Sequence, residues 1–319
     1  MKAAVIERYG AVAVEDVARP EPAEGEVLVR VRASSVNAAD WYGYTGRPWA
    51  GRAMMGVRRP KRTRAGSDFA GLVEAVGGGV QRFAPGDEVF GWAAGAYAEH
   101  VAAGDAVARK PGNLSFDEAA AVPLAGLTAL QGLRDHGRLR PGHRVLVNGA
   151  SGGVGTLAVQ IAKALDAQVH AVCSTRNVEQ ARALGADRVF DYSREDFTRS
   201  GERYDLLFDN AGNRSWAAMR RALSPTGTVV LVGGPRSNRL LGPLGHLMRV
   251  LIVSRLGSRR AAFFIARPNG DDLATLAELV EAGRVSPVVE ERYALADIGA
   301  ALRRMGEGHL RGKLVVTVP

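Results

Sequence analysis

The chain has 319 residues, of which 46% are hydrophobic and 24% charged, the balance of a globular protein and not of a disordered or fibrous one. Its one cysteine, Cys173, excludes an internal disulfide and a cysteine-rich zinc site. Lysine and arginine outnumber aspartate and glutamate 42 to 33, for a net charge of +9, and lysine occurs only at 2, 61, 110, 163 and 313, so the surface is arginine-rich and attracts anions.

Domains commonly run to roughly 100–200 residues, so two are expected. No apolar run approaches the roughly 18 residues of a spanning helix, and Glu7 and Arg8 interrupt the start where a signal peptide needs its apolar core. A cytoplasmic protein without membrane contact is the expectation. The densest basic run, Arg58 to Arg64, could track nucleic-acid phosphates, but it holds no aromatic stacking residue and no nucleic-acid module accompanies it. A solvated basic loop near an anionic cofactor or substrate is the better reading, and no nucleic-acid partner is expected.

Over the first hundred or so residues, short β-branched runs alternate with Gly/Pro turns: AAVIE, AVAVED, EVLVRVRASSV, DFAGLVEAVGGGV and DEVFGW. Period-2 patterning with frequent breakers predicts a compact, barrel-like β domain. From about Pro123 the texture changes. VLVNG is followed by GVGTLAVQIAKAL, then QVHAVC, NVEQARALG, RVFDY, YDLLFDN, SWAAMRRAL and TVVLVGG, strands mostly alternating with helices. That order predicts right-handed crossovers and a doubly wound parallel sheet. LLGPLGHLMRVLIVSRLG, over 240–257, reads as a buried or dimer-facing helix in preference to a substrate lid or membrane-surface helix. Two amphipathic helices follow, LATLAELVEAG and LADIGAALRRMG, and the strand from Lys313 to Val318 is expected to return to the first domain's sheet.

The sharpest motif joins the strand Val145–Asn148 to Gly149, Ala150, Ser151, Gly152, Gly153, Val154 and Gly155, and then to an apolar-periodic helix. Small residues here allow a tight turn and a close backbone approach to a pyrophosphate, whose charge rests on the helix N-terminus. Ala150 stands where the first glycine of G-x-G-x-x-G is usual, with Gly152 and Gly155 in the other two places. After the second strand an NAD site commonly carries an acid for the ribose 2′-hydroxyl. This chain has Cys173, Ser174, Thr175, Arg176 and Asn177 there, so the cofactor expected is NADPH, with Ser174 and Arg176 toward its 2′-phosphate; the alternative for Arg176 is a solvent-exposed side chain that merely follows the strand. Cys173 reads as a small buried residue.

Taken together, these segments resemble the medium-chain dehydrogenase/reductase superfamily over essentially the whole chain, and within it the zinc-independent quinone oxidoreductase-like branch. Val36–Asp40, Gly66–Gly71, Pro85–Val89, Pro123–Ala129 and Leu184–Asp187 carry the resemblance in order, with the NGASGGVG turn and the terminal RGKLVVTV. It implies an α/β fold: a GroES-like, β-rich catalytic domain over 1–118 with a C-terminal return over 263–319, and a Rossmann domain over 119–262. Where zinc alcohol dehydrogenases carry Cys, His and Cys, this chain has Asn37, Ser67 and Leu124, which offer no thiolate or imidazole. Without a metal to stabilise an alkoxide, the fitting chemistry is hydride transfer from NADPH to a quinone or an α,β-unsaturated carbonyl, whose product anion is delocalised.

The resemblance further implies that Asn37, Tyr42 and Thr128 line the substrate side, Asn37 through its amide and Tyr42 through its hydroxyl or ring. Each also has a structural alternative, Asn37 as a turn residue and Tyr42 as a packing aromatic, and Asp40 is expected to hold its loop. Ser151, Gly153 and Val154 are expected at the diphosphate and Tyr192 near the adenosine phosphate. Asn210 and the turn Val232, Gly233, Gly234 are expected at the strand-end crevice, and Phe264 near the carboxamide. Lys313 is expected either at the cofactor or in a structural salt bridge. The rival readings are a non-catalytic NADPH-binding protein, a zinc-free alcohol dehydrogenase and an enoyl-thioester reductase. A homodimer is expected by analogy, and the substrate wall is assigned to the loops 42–62 and 236–262.

Overall fold

The computed structural model describes residues 1–61, 63–234, 240–255 and 259–319. Arg62 of the basic run, 236–239 and 256–258 of the expected substrate loop and Leu256 and Gly257 of the apolar stretch lie outside the described residues. The chain divides into two compact units.

The first unit comprises Met1–Leu127, Arg267–Gly283 and Pro287–Pro319. Its early strands are β1 (Lys2–Arg8), β2 (Ala11–Asp16), β3 (Val27–Val36), β4 (Asp68–Val76), β5 (Glu88–Trp92), β6 (His100–Ala103) and β7 (Val107–Arg109). In β3 the β-branched run buries Val27, Val29, Val31 and Val36 in one apolar cluster with Phe69 and Tyr97. Full burial of such side chains stabilises by about 1.5–3 kcal/mol each.

The second unit comprises Thr128–Ala266 with Arg284–Ser286. It holds β8 (Arg144–Asn148), β9 (Gln168–Cys173), β10 (Arg188–Asp191), β11 (Tyr204–Asp209), β12 (Leu223–Leu231) and β13 (Arg260–Phe263), paired in the order β10-β9-β8-β11-β12-β13. All five pairings are parallel. The fold is thus the expected one, a doubly wound α/β sheet in one unit and a β-rich other unit. Strand order reverses between β8 and β11, and in open parallel sheets ligands collect at the carboxyl ends of strands flanking such a reversal. Those ends are Asn148 and Asp209.

The last strands are β14 (Val289–Ala294) and β15 (Lys313–Thr317). As expected, β15 returns to the first unit's sheet, antiparallel to β3 and parallel to β14. Four strands escape sequence reading. β6, β7 and β13 have four, three and four residues, too short for a periodic signal, and β14, VEERYA, is a polar edge strand whose register β15 supplies. Within 240–257 the helix is Leu244–Ser254; Leu247 and Val250 join the second unit's core while Met248 and Ile252 face outward. Among the described residues, no helix is long and apolar enough to cross a membrane.

Candidate functional site

In the second unit, the turn after β8 is held by the N–H groups of Gly149 and Ala150, both donating to the Val172 carbonyl at 3.2 and 3.0 Å. Gly149 takes a φ of +86°, open to glycine at little cost. Helix Gly153–Ala164 follows, with no side chain capping its N-terminus and no acid in its first turn. Its first-turn N–H groups and positive dipole end are therefore available to an anion. At Gly155 a Cβ would meet the Gly149 oxygen at 2.1 Å, so only glycine lets the helix close onto the turn. At Gly152 the nearest neighbour of an added Cβ is Asn210 Nδ2 at 4.0 Å, and the space above Gly152 is open. Ser151, Gly152, Gly153 and Val154 are all partly exposed around it. The cradle fits a pyrophosphate.

Next to β9, Ser174 precedes a short helical turn, Thr175–Asn177, and the Arg176 side chain is exposed. Thr175 is engaged elsewhere: its hydroxyl donates to Asp191 at 2.6 Å. Asp191 also accepts from Ser193 Oγ and N–H, and hydrogen bonds from Ser193 and Thr175 hold its carboxyl below the usual range. Sequence reading missed this carboxylate because it arrives from the neighbouring strand, β10. Arg194 lies 3.4 Å from it and offsets its charge. Tyr192, two-fifths exposed, follows directly.

At the carboxyl ends of β8, β11 and β12, Asn210 N–H donates to the Asn148 carbonyl, and the N–H groups of Val232 and Gly233 turn back to the Asp209 carbonyl. Gly234 lies against Gly212 and Pro243. Beneath them Asp209 is fully buried, its Oδ1 accepting from Asn148 Nδ2 at 2.8 Å and Gly212 N–H at 2.9 Å, and burial pushes its carboxyl up. Asn148 and Asp209 carry no motif of their own; their pairing needs the parallel register of β8 with β11. Phe264 stacks on His136, centroids 4.3 Å apart, and Thr128 is half-buried on helix Pro123–Gln131.

A second polar centre lies inside the first unit. Asp68, fully buried at the start of β4, accepts from Ser35 Oγ at 2.8 Å, Asn37 Nδ2 at 2.9 Å, Lys313 Nζ at 3.2 Å and the Leu124 N–H at 3.0 Å. Lys313 Nζ also donates to Asn37 Oδ1 at 2.6 Å. Lys313 thus stands in the buried salt bridge that was the alternative to cofactor contact, and Asn37 has both ends of its amide engaged, with one N–H left over. Beside them, Asp40 accepts from the Asn37 N–H at 2.8 Å, Tyr97 hydroxyl at 2.9 Å and Ser67 Oγ at 3.0 Å. Burial is the main cause that raises Asp40 to about 6, with Asp68 adding repulsion. Asp40 is enclosed by protein yet keeps a strip of surface toward a cavity of about 520 Å³, which it borders together with Ser67, Met54, Met55 and Trp92. The Tyr42 ring lies edge-on to Trp41. Of these groups Ser35, Asp68 and Tyr97 were not foreseen, since only the sheet registers bring them together.

Comparison with known proteins agrees with this architecture. The family model described as "Alcohol dehydrogenase GroES-like domain" matches residues 23–158, and that described as "Zinc-binding dehydrogenase" matches 184–316. Human NAD(P)H oxidoreductase RTN4IP1, mitochondrial, is 35% identical over 92% of this chain and 82% of its own length. Quinone-oxidoreductase QR1, chloroplastic, of Triphysaria versicolor is 32% identical over 99% and 98%. Among solved structures, the quinone oxidoreductase from Coxiella burnetii superposes with a TM-score of 0.88 at 31% identity, covering 100% of this chain and 99% of its own. The Escherichia coli quinone oxidoreductase complexed with NADPH gives 0.83 at 26%, covering 99% and 100%. The chain belongs to the medium-chain dehydrogenase/reductase superfamily of nicotinamide-dependent oxidoreductases. Within it, it stands in the quinone oxidoreductase-like branch.

The description of the second family model raises the question of zinc. Asn37, Ser67 and Leu124 do come together around Asp40 and Asp68, but they present an amide, a hydroxyl and a backbone N–H, all already hydrogen-bonded. Catalytic zinc is held by thiolate, imidazole and carboxylate. The donor set does not fit the metal, and among the described residues no group of three or more His, Cys, Asp or Glu side chains converges as a metal cage.

Proposed function

We propose that the protein reduces quinones or α,β-unsaturated carbonyls with NADPH and without zinc. The carrying observation is the network at the three zinc-ligand positions. It supplies an ammonium and hydrogen-bond donors where the alcohol dehydrogenases supply a Lewis acid. Such groups suffice for an acceptor whose charge delocalises as phenolate or enolate, and they fall short for a localised alkoxide.

NADPH, when bound, supplies the hydride. The cradle from Ala150 to Val154 would hold its diphosphate, Ser174 and Arg176 its 2′-phosphate, Tyr192 the adenosine side, and Asn210, Val232–Gly234 and Phe264 the rest of the crevice. In the β-rich unit, Lys313 and Asp68 fix the Asn37 amide so that its remaining N–H can meet an acceptor oxygen, and Tyr42 contributes to the acceptor side. Lys313 serves this positioning and not the cofactor. The relatives named as quinone oxidoreductases support the substrate class.

The test is NADPH consumption across a panel of quinones and enones, with NADH in parallel and product regiochemistry on one enone. Alkene reduction of the enone with NADPH preferred is the expected result. Carbonyl reduction would instead indicate an alcohol dehydrogenase-like enzyme, and cofactor binding without turnover of any acceptor a nucleotide-binding protein without catalysis.

A further inference from the structure

The two carboxylate oxygens of Asp40 are not equivalent. Oδ2 accepts from the Asn37 N–H at 2.8 Å and the Tyr97 hydroxyl at 2.9 Å, whereas Oδ1 meets Ser67 Oγ at 3.0 Å. A proton taken up by this carboxyl settles on Oδ1, because Oδ2 already has two donors pointed at it. It then donates to Ser67 Oγ, and the serine's own hydrogen, no longer needed there, turns outward. Outward is the 520 Å³ cavity, which both Ser67 and Asp40 border. A short chain of two exchangeable protons therefore leads from the Asp40 carboxyl through Ser67 to the cavity.

The surroundings favour uptake of the proton. Burial and the neighbouring Asp68 raise Asp40 to about 6, against the hydrogen bonds from Asn37, Tyr97 and Ser67. Tyr97 is pushed well above its ordinary range, chiefly by burial, and stays a donor. Lys313 is engaged with Asp68 and Asn37, and Lys61 and Arg64 border the same cavity.

We propose that Ser67 and Asp40 are the proton relay of the reduction, Ser67 giving its hydroxyl proton to the oxygen of the reduced acceptor and recovering one from Asp40. The relay rests on the reading of the protein as a reductase of conjugated carbonyls. Hydride transfer brings two electrons to an acceptor carbon and leaves a phenolate or enolate oxygen. That oxygen bonds the Ser67 hydrogen as the Ser67 O–H bond breaks. Ser67 Oγ then bonds the Asp40 proton, and Asp40, left as carboxylate, regains a proton from water in the cavity. Each turnover consumes one hydride and one proton.

The experiment compares wild type with Ser67→Ala, Ser67→Thr and Asp40→Asn, using an enone acceptor. In the wild type, kcat is level below pH about 6 and falls about tenfold per unit above it, as loss of a general acid requires. Ser67→Ala lowers kcat about a hundredfold and abolishes that limb, with NADPH affinity by fluorescence unchanged, while Ser67→Thr restores both rate and limb. Infrared pH titration of the cofactor-free wild type shows a protonated carboxyl lost near pH 6, absent from Asp40→Asn. A Ser67→Ala enzyme with the wild-type rate and pH profile, or a wild type lacking that infrared band, overturns the relay while the reductase reading stands. A wild type that binds NADPH yet reduces no quinone or enone overturns the reading and the relay with it.

Discussion

Asp68 is the charge around which the interior of the β-rich unit is arranged. A fully buried carboxylate is tolerable only with a cation and hydrogen bonds in place, and Lys313, itself 3% exposed, is that cation. Lys313→Met is predicted to cost about 3–5 kcal/mol, read from urea denaturation, and Lys313→Met with Asp68→Asn to recover most of it; equal losses in the single and double variants would show that the pair is not coupled. Lys313 was visible in the sequence only as part of a terminal Gly-Lys. Its partner lies 245 residues away, so no local pattern could decide between a cofactor and a salt bridge. The cofactor's phosphate end is a different case. Arg176 is assigned there by its distance from the glycine turn, and Arg176→Ala is predicted to raise the Michaelis constant for NADPH by about tenfold or more, since one charged hydrogen bond contributes roughly 1.5–3 kcal/mol, and to leave that for NADH nearly unchanged. Asp191, which binds Thr175 nearby, was not legible, because strand pairing and not sequence adjacency delivers it.

Among the elements, the strand, turn and helix from Arg144 to Ala164 are a stretch whose local sequence and backbone conformation agree. Small residues are needed there for two separate reasons, and two substitutions separate them. Gly155→Ala places a methyl 2.1 Å from the Gly149 oxygen and 2.8 Å from Ala150 backbone, so the turn must move; a loss of about 1–3 kcal/mol in stability is predicted, as for other overpacked sites, together with loss of cofactor binding. Gly152→Ala meets open space, so its thermal midpoint should match wild type while NADPH binding, measured by fluorescence, weakens. An unchanged affinity in Gly152→Ala would remove the turn from the phosphate site. The edge strands β13 and β14 show the opposite condition. Neither has the alternation or apolar run that marks a strand, and each exists because a neighbour offers it a ladder of hydrogen bonds.

For the molecule as a whole, Asp40 couples stability to pH. Its value is about 6 when folded against an ordinary 3.8, so between these the folded state binds more protons than the unfolded one. Stability therefore falls as pH rises from about 4 to about 6, by up to about 3 kcal/mol, and is level above. Asp40→Asn should remove this share, so that the variant gains on the wild type in urea midpoint between pH 4.5 and 7.5; a constant difference between the two proteins would contradict it. The net charge of +9 acts at the same scale through its field, and the NADPH association rate is predicted to fall with added salt.

The doubly wound sheet and the glycine-rich turn that opens it could be derived from the sequence alone, because each follows from periodicity and steric demands within short contiguous stretches. The resemblance in motif order extended that reading to the branch of the superfamily. What the tertiary structure decided is the polar interior: that Ser35, Asn37, Asp68, Leu124 and Lys313 meet at one carboxylate, that Asp40 shares its two oxygens unequally between Ser67 and its other donors, and that this pair borders a cavity. Those relations are set by strand register and by the return of the last strand to the first sheet. They bring together groups distant in the chain, and their energies exist only once water has been excluded from among them.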